Sequence, residues 1–185
     1  MRTPVELAKA YRLLNHGPVT LVSSAHGERR NLMAAAWSMP LDFSPPKVAV
    51  VIDKSTFTRE LVEASGAFVL NIPSRAIAAQ VIAAGGCSGR EGDKFDALGI
   101  GALAADVLAA PLVAGCVGWL ECRVIPEPHN QQAYDLFLGE VVAASADARV
   151  FSNGRWHFDE ADPALRTLHY VAGGQFYVSG ESLNV

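Results

Sequence analysis

The sequence predicts a mainly β domain, a closed or partly closed antiparallel sheet with peripheral helices. Two observations carry that reading. Segments with strand character outnumber those with helical spacing, and the two kinds do not alternate one for one as βαβ units require. No linker or change of composition divides the chain, so residues 1–185 read as one domain.

Helical spacing comes first, over residues 5–14, where Val5, Ala8, Tyr11 and Leu14 share a face until Asn15-His16-Gly17-Pro18 stops the helix. Strand signals follow at Val19–Ser23, Arg30–Trp37, Lys47–Asp53 and Ala67–Ile72. Ala25-His26-Gly27-Glu28 reads as a hairpin loop between the first two, and Pro40, Pro45 and Pro46 interrupt the chain before the third. A helix from near Thr58 to Gly66 separates the third strand from the fourth. A second, Ser74 to Ala84, has Ile77 and Val81 on one face. The glycine-rich run Gly85 to Lys94 leads into a short helix at Asp93–Leu98. Two long strands, about Gly115–Pro126 and Asp135–Ala144, flank a polar loop at Glu127–Gln132. From Val150 the tail has aromatics and glycines without a clear period.

Composition narrows the function. Half of the 185 residues are apolar and only 18% are charged, against about 25% charged in an average soluble domain. The uncharged run from Val107 to Leu120 contains Pro111 and lies between Asp106 and Glu121. It is too short for the roughly 20 helical residues that a bilayer requires. The apolar surplus therefore predicts a subunit interface. Arg2, Glu6, Lys9 and Arg12 leave the N-terminus without the apolar core of a signal peptide, which predicts a cytoplasmic protein. A net charge of −4 argues against nucleic acid as the partner.

The usual catalytic signatures are absent: CxxC, HExxH, GxSxG and the phosphate-binding P-loop. Gly99-Ile100-Gly101 starts like a dinucleotide fingerprint, but Ala104 stands at the third glycine and a helix precedes it. His157, His169 and Asp159 do not have the spacing of a metal set. Cys116 and Cys122 lie about 20 Å apart along an extended strand, beyond disulfide reach. They read as packing residues on the alternate set with Leu120 and Val124, opposite Trp119, Glu121 and Arg123. Cys87, in the glycine-rich loop, reads as a bystander.

Three segments admit both a ligand and a plainer reading. Asn31-Leu32-Met33-Ala34-Ala35-Ala36-Trp37 has small side chains that let a flat ligand reach the backbone, framed by Asn31 and Trp37, or it packs closely on a helix. Thr58, reading as an N-cap near Ser55, Lys54 and Arg59, makes either an anion site or a simple cap. The loop carrying Ser88, Gly89, Arg90 and Lys94 is either an anion-binding nest with two cations or a flexible surface turn.

Taken in order, these segments resemble the flavin reductase-like family with the FMN-binding split barrel, which includes flavoredoxin. The resemblance runs through Gly17-Pro18-Val19-Thr20-Leu21-Val22, Asn31 to Trp37, Ser44-Pro45-Pro46-Lys47-Val48-Ala49 and Phe68-Val69-Leu70-Asn71-Ile72-Pro73. It continues with Ser88-Gly89-Arg90, Asp93-Lys94-Phe95, Leu120-Glu121-Cys122-Arg123, Gly139-Glu140-Val141-Val142, and the tail from Leu168-His169-Tyr170 through Gly173-Gly174 to Tyr177. It implies a six-stranded antiparallel Greek-key barrel, a homodimer, and FMN rather than FAD near the subunit interface. Asn31, Met33, Ala34, Ala36 and Trp37 would line the flavin. Ser55, Thr58 and Lys94 would hold its phosphate, and Ser88, Gly89 and Arg90 would shape the loop around it.

The implied activity is that of an NAD(P)H-dependent flavin reductase, with NADH or NADPH as reductant and a monooxygenase or redox protein as possible partner. A flavoredoxin-like electron carrier and a non-catalytic flavin- or haem-binding module stand as alternatives. The chain departs from the family at Ala34 and Ala36, where many relatives carry hydroxyls, and at Tyr134, where relatives often carry a histidine that His129 would have to replace. Cofactor chemistry accounts for the missing catalytic constellation, because the flavin carries the reaction and the protein orients it.

Overall fold

A computed structural model describes residues 1–183. The strands of the body are β1 (Arg2–Pro4), β2 (Thr20–His26), β3 (Arg29–Ala35), β4 (Ser38–Phe43), β5 (Pro46–Val51), β6 (Ala67–Pro73), β7 (Ala102–Leu103), β8 (Leu112–Val113), β9 (Cys116–Ile125) and β10 (Leu136–Asp147). The tail adds two hairpins, β11 (Phe151–Ser152) with β12 (Arg155–Trp156), and β13 (Leu168–Ala172) with β14 (Gln175–Val178). The helices are α1 (Phe57–Ser65), α2 (Ala78–Gly86), α3 (Lys94–Ala97) and α4 (Pro128–Tyr134).

One antiparallel eight-stranded sheet dominates, ordered β3-β2-β6-β9-β10-β5-β4, with β1 added along β10. The six strands read from the sequence are all in it; β1 and β4 extend it. Strands β3 and β4 occupy opposite ends of that order, yet only Ala36 and Trp37 lie between them. Three extended steps span at most about 11 Å, so the sheet must curl until its two ends meet. Hydrogen bonds hold the seam. Thr20 Oγ1 bonds the Ala35 carbonyl at 3.2 Å and the Ser38 hydroxyl at 3.1 Å, and Val51 N donates to the Trp37 carbonyl at 3.0 Å. The result is an antiparallel barrel split along Ala36–Trp37.

Alternation along the strands fills two cores. Val22, Leu70, Leu120 and Cys122 point into the barrel with Val48, Phe68 and Phe137. Leu21, Val69 and Trp119 point outward, where Val81, Phe95, Leu112 and Val113 cover them. Burial of both faces explains why β9 shows no polar face from Cys116 to Cys122. It also gives part of the apolar surplus a place inside one chain.

Four local readings are corrected. The N-terminal helix is a 3₁₀ segment, Leu7–Leu13. The Ser74–Ala84 helix starts as a 3₁₀ turn before α2. The supposed loop after Ile125 contains α4, started by Pro128 and ended by Asp135 in the left-handed region at φ 54°. A bulge opposite Ile72 and Pro73 moves Cys116 from the face of Leu120 and Cys122 to the outer core beside Trp119. Burial pushes both the Cys116 and the Cys122 thiols far up, which suits packing residues.

Glu121, on the face opposite Leu120 and Cys122, is 2% exposed. Its carboxylate accepts from the backbone N–H groups of Asp106, Val107 and Leu108 at 2.8, 2.8 and 2.9 Å, fastening the segment that follows β7. Glu121→Ala is expected to lower the unfolding free energy by about 3 kcal/mol, since these bonds are charge-assisted and share one acceptor. Urea denaturation measures it; a loss within experimental error would mean that water serves those amides equally well. No helix among the described residues is long and apolar enough to cross a membrane.

Candidate functional site

Strand β3 is one end of the sheet, so the backbone groups on its outer side have no strand partner. Helices α1 and α2 pack beside it. Between the start of α1, the end of α2 and β3 lies a cavity of about 420 Å³. All the candidate site residues line it except Ala36 and Trp37. Those two line an adjoining lobe of about 680 Å³, which shares Met33 and Ala34 with the first cavity and adds Val51, Asp53, Tyr134, Asp135 and Tyr170. A smaller apolar lobe of about 350 Å³ opens between Ala34, Ala36, Val81, Gly85 and Phe176. The three form one groove along β3.

The start of α1 is one residue pair earlier than the sequence suggests. Asp53 Oδ1 accepts from Ser55 N at 2.7 Å, and Thr56 N donates to the Asp53 carbonyl at 3.0 Å, closing a turn. Thr56 is the N-cap, its hydroxyl accepting from Arg59 N at 3.2 Å. Thr58 therefore lies inside the first turn, fully buried, with its hydroxyl accepting from Asn31 Nδ2 at 2.9 Å. The amides at the head of α1 face the cavity that Thr56, Phe57 and Thr58 line. The Asp-x-Ser spacing before Thr56 was the signal that places the cap.

Two buried groups show what the cavity is made for. Asn31 is 2% exposed, and its Oδ1 has no hydrogen-bond partner. That oxygen lies so close to Gly89 that a Cβ there would stand 2.2 Å from it. Lys94 is 5% exposed, and its ammonium donates to the Ala84 carbonyl at 2.8 Å with no carboxylate in contact. Burial pushes its pKa down. An ammonium held in this way calls for an anion.

The remaining cations are answered within the protein. Arg90 reaches back from the loop to the Ser55 carbonyl at 2.8 Å and to the Glu60 carboxylate, so it clamps the loop onto α1. Arg59 turns away from the cavity to Asp135 at 2.7 Å and Glu63 at 2.6 Å, stacked over Phe137. Lys54 is exposed, 3.8 Å from Asp135. Ser55 donates to Asp53 at 2.6 Å, and Ser88 Oγ accepts from Arg90 N at 3.3 Å. The expected cationic flank of Lys54 and Arg59 thus gives way to one buried ammonium, Lys94.

Trp37 is 74% exposed at the far end of the groove. Tyr134 lines the same lobe, its ring edge-on to His129 with centroids 5.6 Å apart. His129 is not among the residues lining that lobe. Sequence reasoning left Thr56, Phe57, Ala84 and Cys87 out of the site, and took Gly85 and Gly86 only as part of the glycine-rich run, whereas the structure ends α2 at Gly86. The arrangement fits a phosphate ester at the α1 end and a flat ring along β3. The Lys94 ammonium and the bare Gly89 backbone are the parts that fit it.

Comparison with known proteins agrees with this geometry. A family model described as a flavin reductase like domain matches residues 12–175. The chain is 51% identical over 181 residues to uncharacterized protein YddH of Escherichia coli (strain K12), covering 96% of this chain and 95% of the relative. Its fold is similar to the FMN-binding domain of a flavin reductases-like enzyme from Shewanella baltica OS155, with a TM-score of 0.98 and 50% identity over 100% of this chain and 97% of that one. It is also similar to the flavoredoxin of Desulfovibrio vulgaris (Miyazaki F), with a TM-score of 0.80 and 28% identity over 91% and 90% of the two chains.

Proposed function

The chain belongs to the flavin reductase-like family, and on that premise we propose that it holds FMN and passes hydride from NADH or NADPH onto it. One observation carries the FMN reading: a buried ammonium without a carboxylate stands in the wall of a cavity that the head of α1 also lines, at the end of a groove that follows an unpaired strand edge. Lys94 and the first amides of α1 would take the phosphate. Asn31, bonded to Thr58 and packed against Gly89, would hold the glycine-rich loop and the first turn of α1 together around the phosphate. The outer N–H and C=O groups of β3 would meet the polar edge of the ring, and Met33, Ala34 and Ala36 are small or pliant enough to let it approach. Trp37 and Tyr134 line the ring end. When bound, FMN supplies hydride acceptance and one- or two-electron release.

A flavoredoxin-like electron carrier is the second reading, favoured by the ring-end lobe. Asp53 and Asp135 line it, no Lys or Arg does, and Tyr134 stands where relatives often carry a histidine. Nothing in that lining meets a nucleotide phosphate. A non-catalytic flavin- or haem-binding module is the third. Stopped-flow reduction of the yellow protein with NADH and NADPH tests them in turn. Rapid bleaching of the visible flavin band supports the reductase, and bound flavin that ignores both nucleotides but accepts electrons from a redox protein supports the carrier. A stable flavin complex that takes electrons from neither source supports the module. Colourless protein without FMN affinity overturns the reductase and the carrier.

We also propose a homodimer. Trp37, Met39, Leu41 and Phe43 are 74%, 53%, 46% and 62% exposed at alternate positions, an apolar row on an edge strand beside the ring-end lobe. Light scattering checks it, and a monomer at micromolar concentration would contradict it. Gly89→Ala probes the phosphate end: the new methyl must displace Asn31 or the loop, so FMN affinity is expected to fall by about 1–3 kcal/mol. Gly89 is itself buried against Asn31, so the melting temperature should fall as well; unchanged affinity would place Gly89 outside the site.

A further inference from the structure

We propose that the apolar lobe on the outer side of β3 binds a small uncharged quinone, and that this quinone takes the electrons of the loaded protein. The inference rests on the reductase reading and deepens it by naming an acceptor. The lobe has a volume of about 350 Å³, within the roughly 300–1,000 Å³ of small-molecule sites. Its walls come from three distant parts of the chain: Ala34 and Ala36 at the end of β3, Val81 and Ile82 on α2, and Tyr170 and Phe176 on the β13–β14 hairpin. The hairpin is fastened to the body. Val19 N donates to the Leu168 carbonyl at 2.8 Å, Phe176 packs against the outer core, and Tyr170 stands edge-on to Phe176 with ring centroids 5.5 Å apart.

The lining selects the ligand. None of its residues is charged, so a phosphate or carboxylate would lose hydration there with nothing to replace it. Tyr170 carries the only polar side-chain atom of the lining, a hydroxyl able to donate to a carbonyl oxygen. The aliphatic side chains of Val81 and Ile82 and the rings of Tyr170 and Phe176 suit a flat apolar body. Ala34 and Ala36 also line the ring-end lobe, so a molecule held here lies beside the ring proposed to follow β3. A quinone is uncharged and flat, carries the carbonyl oxygen, and accepts an electron pair. In the overall reaction it gains two electrons and two protons and becomes the quinol. Hydride from NADH or NADPH brings both electrons and one proton, solvent brings the second proton, and the nicotinamide leaves oxidised.

Calorimetric titration of the full chain tests this with duroquinone, whose fully methylated ring offers the exposed Cys87 thiol no free position for addition. FMN titration and bleaching by NADH come first; failure there removes the reductase reading and this inference with it. Where both succeed, FMN-loaded protein is expected to bind duroquinone at one site without releasing FMN. Phe176→Ala removes a ring from the wall and should weaken duroquinone by about 10-fold. Ile82→Trp fills the lobe from its solvent-facing rim and should weaken it by at least about 10-fold, with FMN affinity within about twofold of the parent. Tyr170→Phe should cost about 2- to 10-fold with the hydroxyl. Oxidation of NADH by duroquinone in the absence of oxygen should fall in the same variants. Release of FMN by duroquinone would mean that the ring itself fills the lobe. That result, absence of binding, binding untouched by both Phe176→Ala and Ile82→Trp, or binding without reduction overturns the inference and leaves the FMN reading standing.

Discussion

Lys94→Met is expected to weaken FMN by roughly 10- to 150-fold while leaving the FMN-free protein at least as stable as the parent. The first half follows from the worth of a charge-assisted hydrogen bond to phosphate, about 1.5–3 kcal/mol. The second follows from burial. Lys94 is 5% exposed with only the Ala84 carbonyl as partner, so the empty protein carries the cost of desolvating an ammonium that nothing neutralises. Methionine keeps the apolar stem and removes that cost. The opposed signs are the test: flavin titration should show the loss, and thermal unfolding without flavin should show none. Equal affinity would take Lys94 out of the site, and a large loss of stability would make its bond to Ala84 structural. Arg90 supplies the contrast, because it is exposed and already answered by Glu60. Removing it should cost less than about 1 kcal/mol of affinity.

Much of the scaffold was legible because strand periodicity is local. The six main strands, the end of α1 at Gly66 and the glycine-rich loop all follow from runs of apolar residues punctuated by glycine and proline. What failed to show depends on contacts between distant segments. The register shift opposite Ile72 and Pro73 turns Cys116 to the other face, and no residue in β9 announces it. Trp119 and Glu121 stand opposite the apolar set, and nothing in their own residues announces that the stretch just before β9 folds back to cover them. The site shows the same division. Its three segments were visible one by one, as was a need for cations. Which cation serves was not, since Arg59 is drawn away by Asp135, a residue far along the sequence, while Lys94 is carried inward by α3.

Acid is expected to destabilise the protein through His16, and His16→Phe is expected to reverse the ranking of variant and parent between neutral and acid pH. His16 packs against Trp156, Phe158 and His169, with ring centroids 5.5, 6.3 and 5.5 Å away. One ring nitrogen pairs with Thr167 Oγ1 at 2.9 Å, and the other is buried without a partner. Burial first, and the neighbouring His169 second, hold its pKa down at about 4. An unfolded chain takes up that proton near pH 6.5. Between pH 6.5 and pH 4 the unfolded state therefore binds more protons, and stability that is complete above this window drains away as the pH falls through it. At one proton and 1.36 kcal/mol per pH unit, the loss reaches up to about 3 kcal/mol. Phenylalanine keeps the aromatic packing and cannot titrate. At pH 7 the variant should lose about 1 kcal/mol with the bond to Thr167, whereas near pH 4 it should be the more stable of the two. Urea midpoints at the two pH values decide it; parallel curves would show that His16 keeps its ordinary titration in the fold. The consequence reaches the groove, because His16 and Gly17 anchor the β13–β14 hairpin, through Thr167 and through His169 Nδ1 at 3.1 Å, and that hairpin carries Tyr170, Val171 and Ala172 into the ring-end wall.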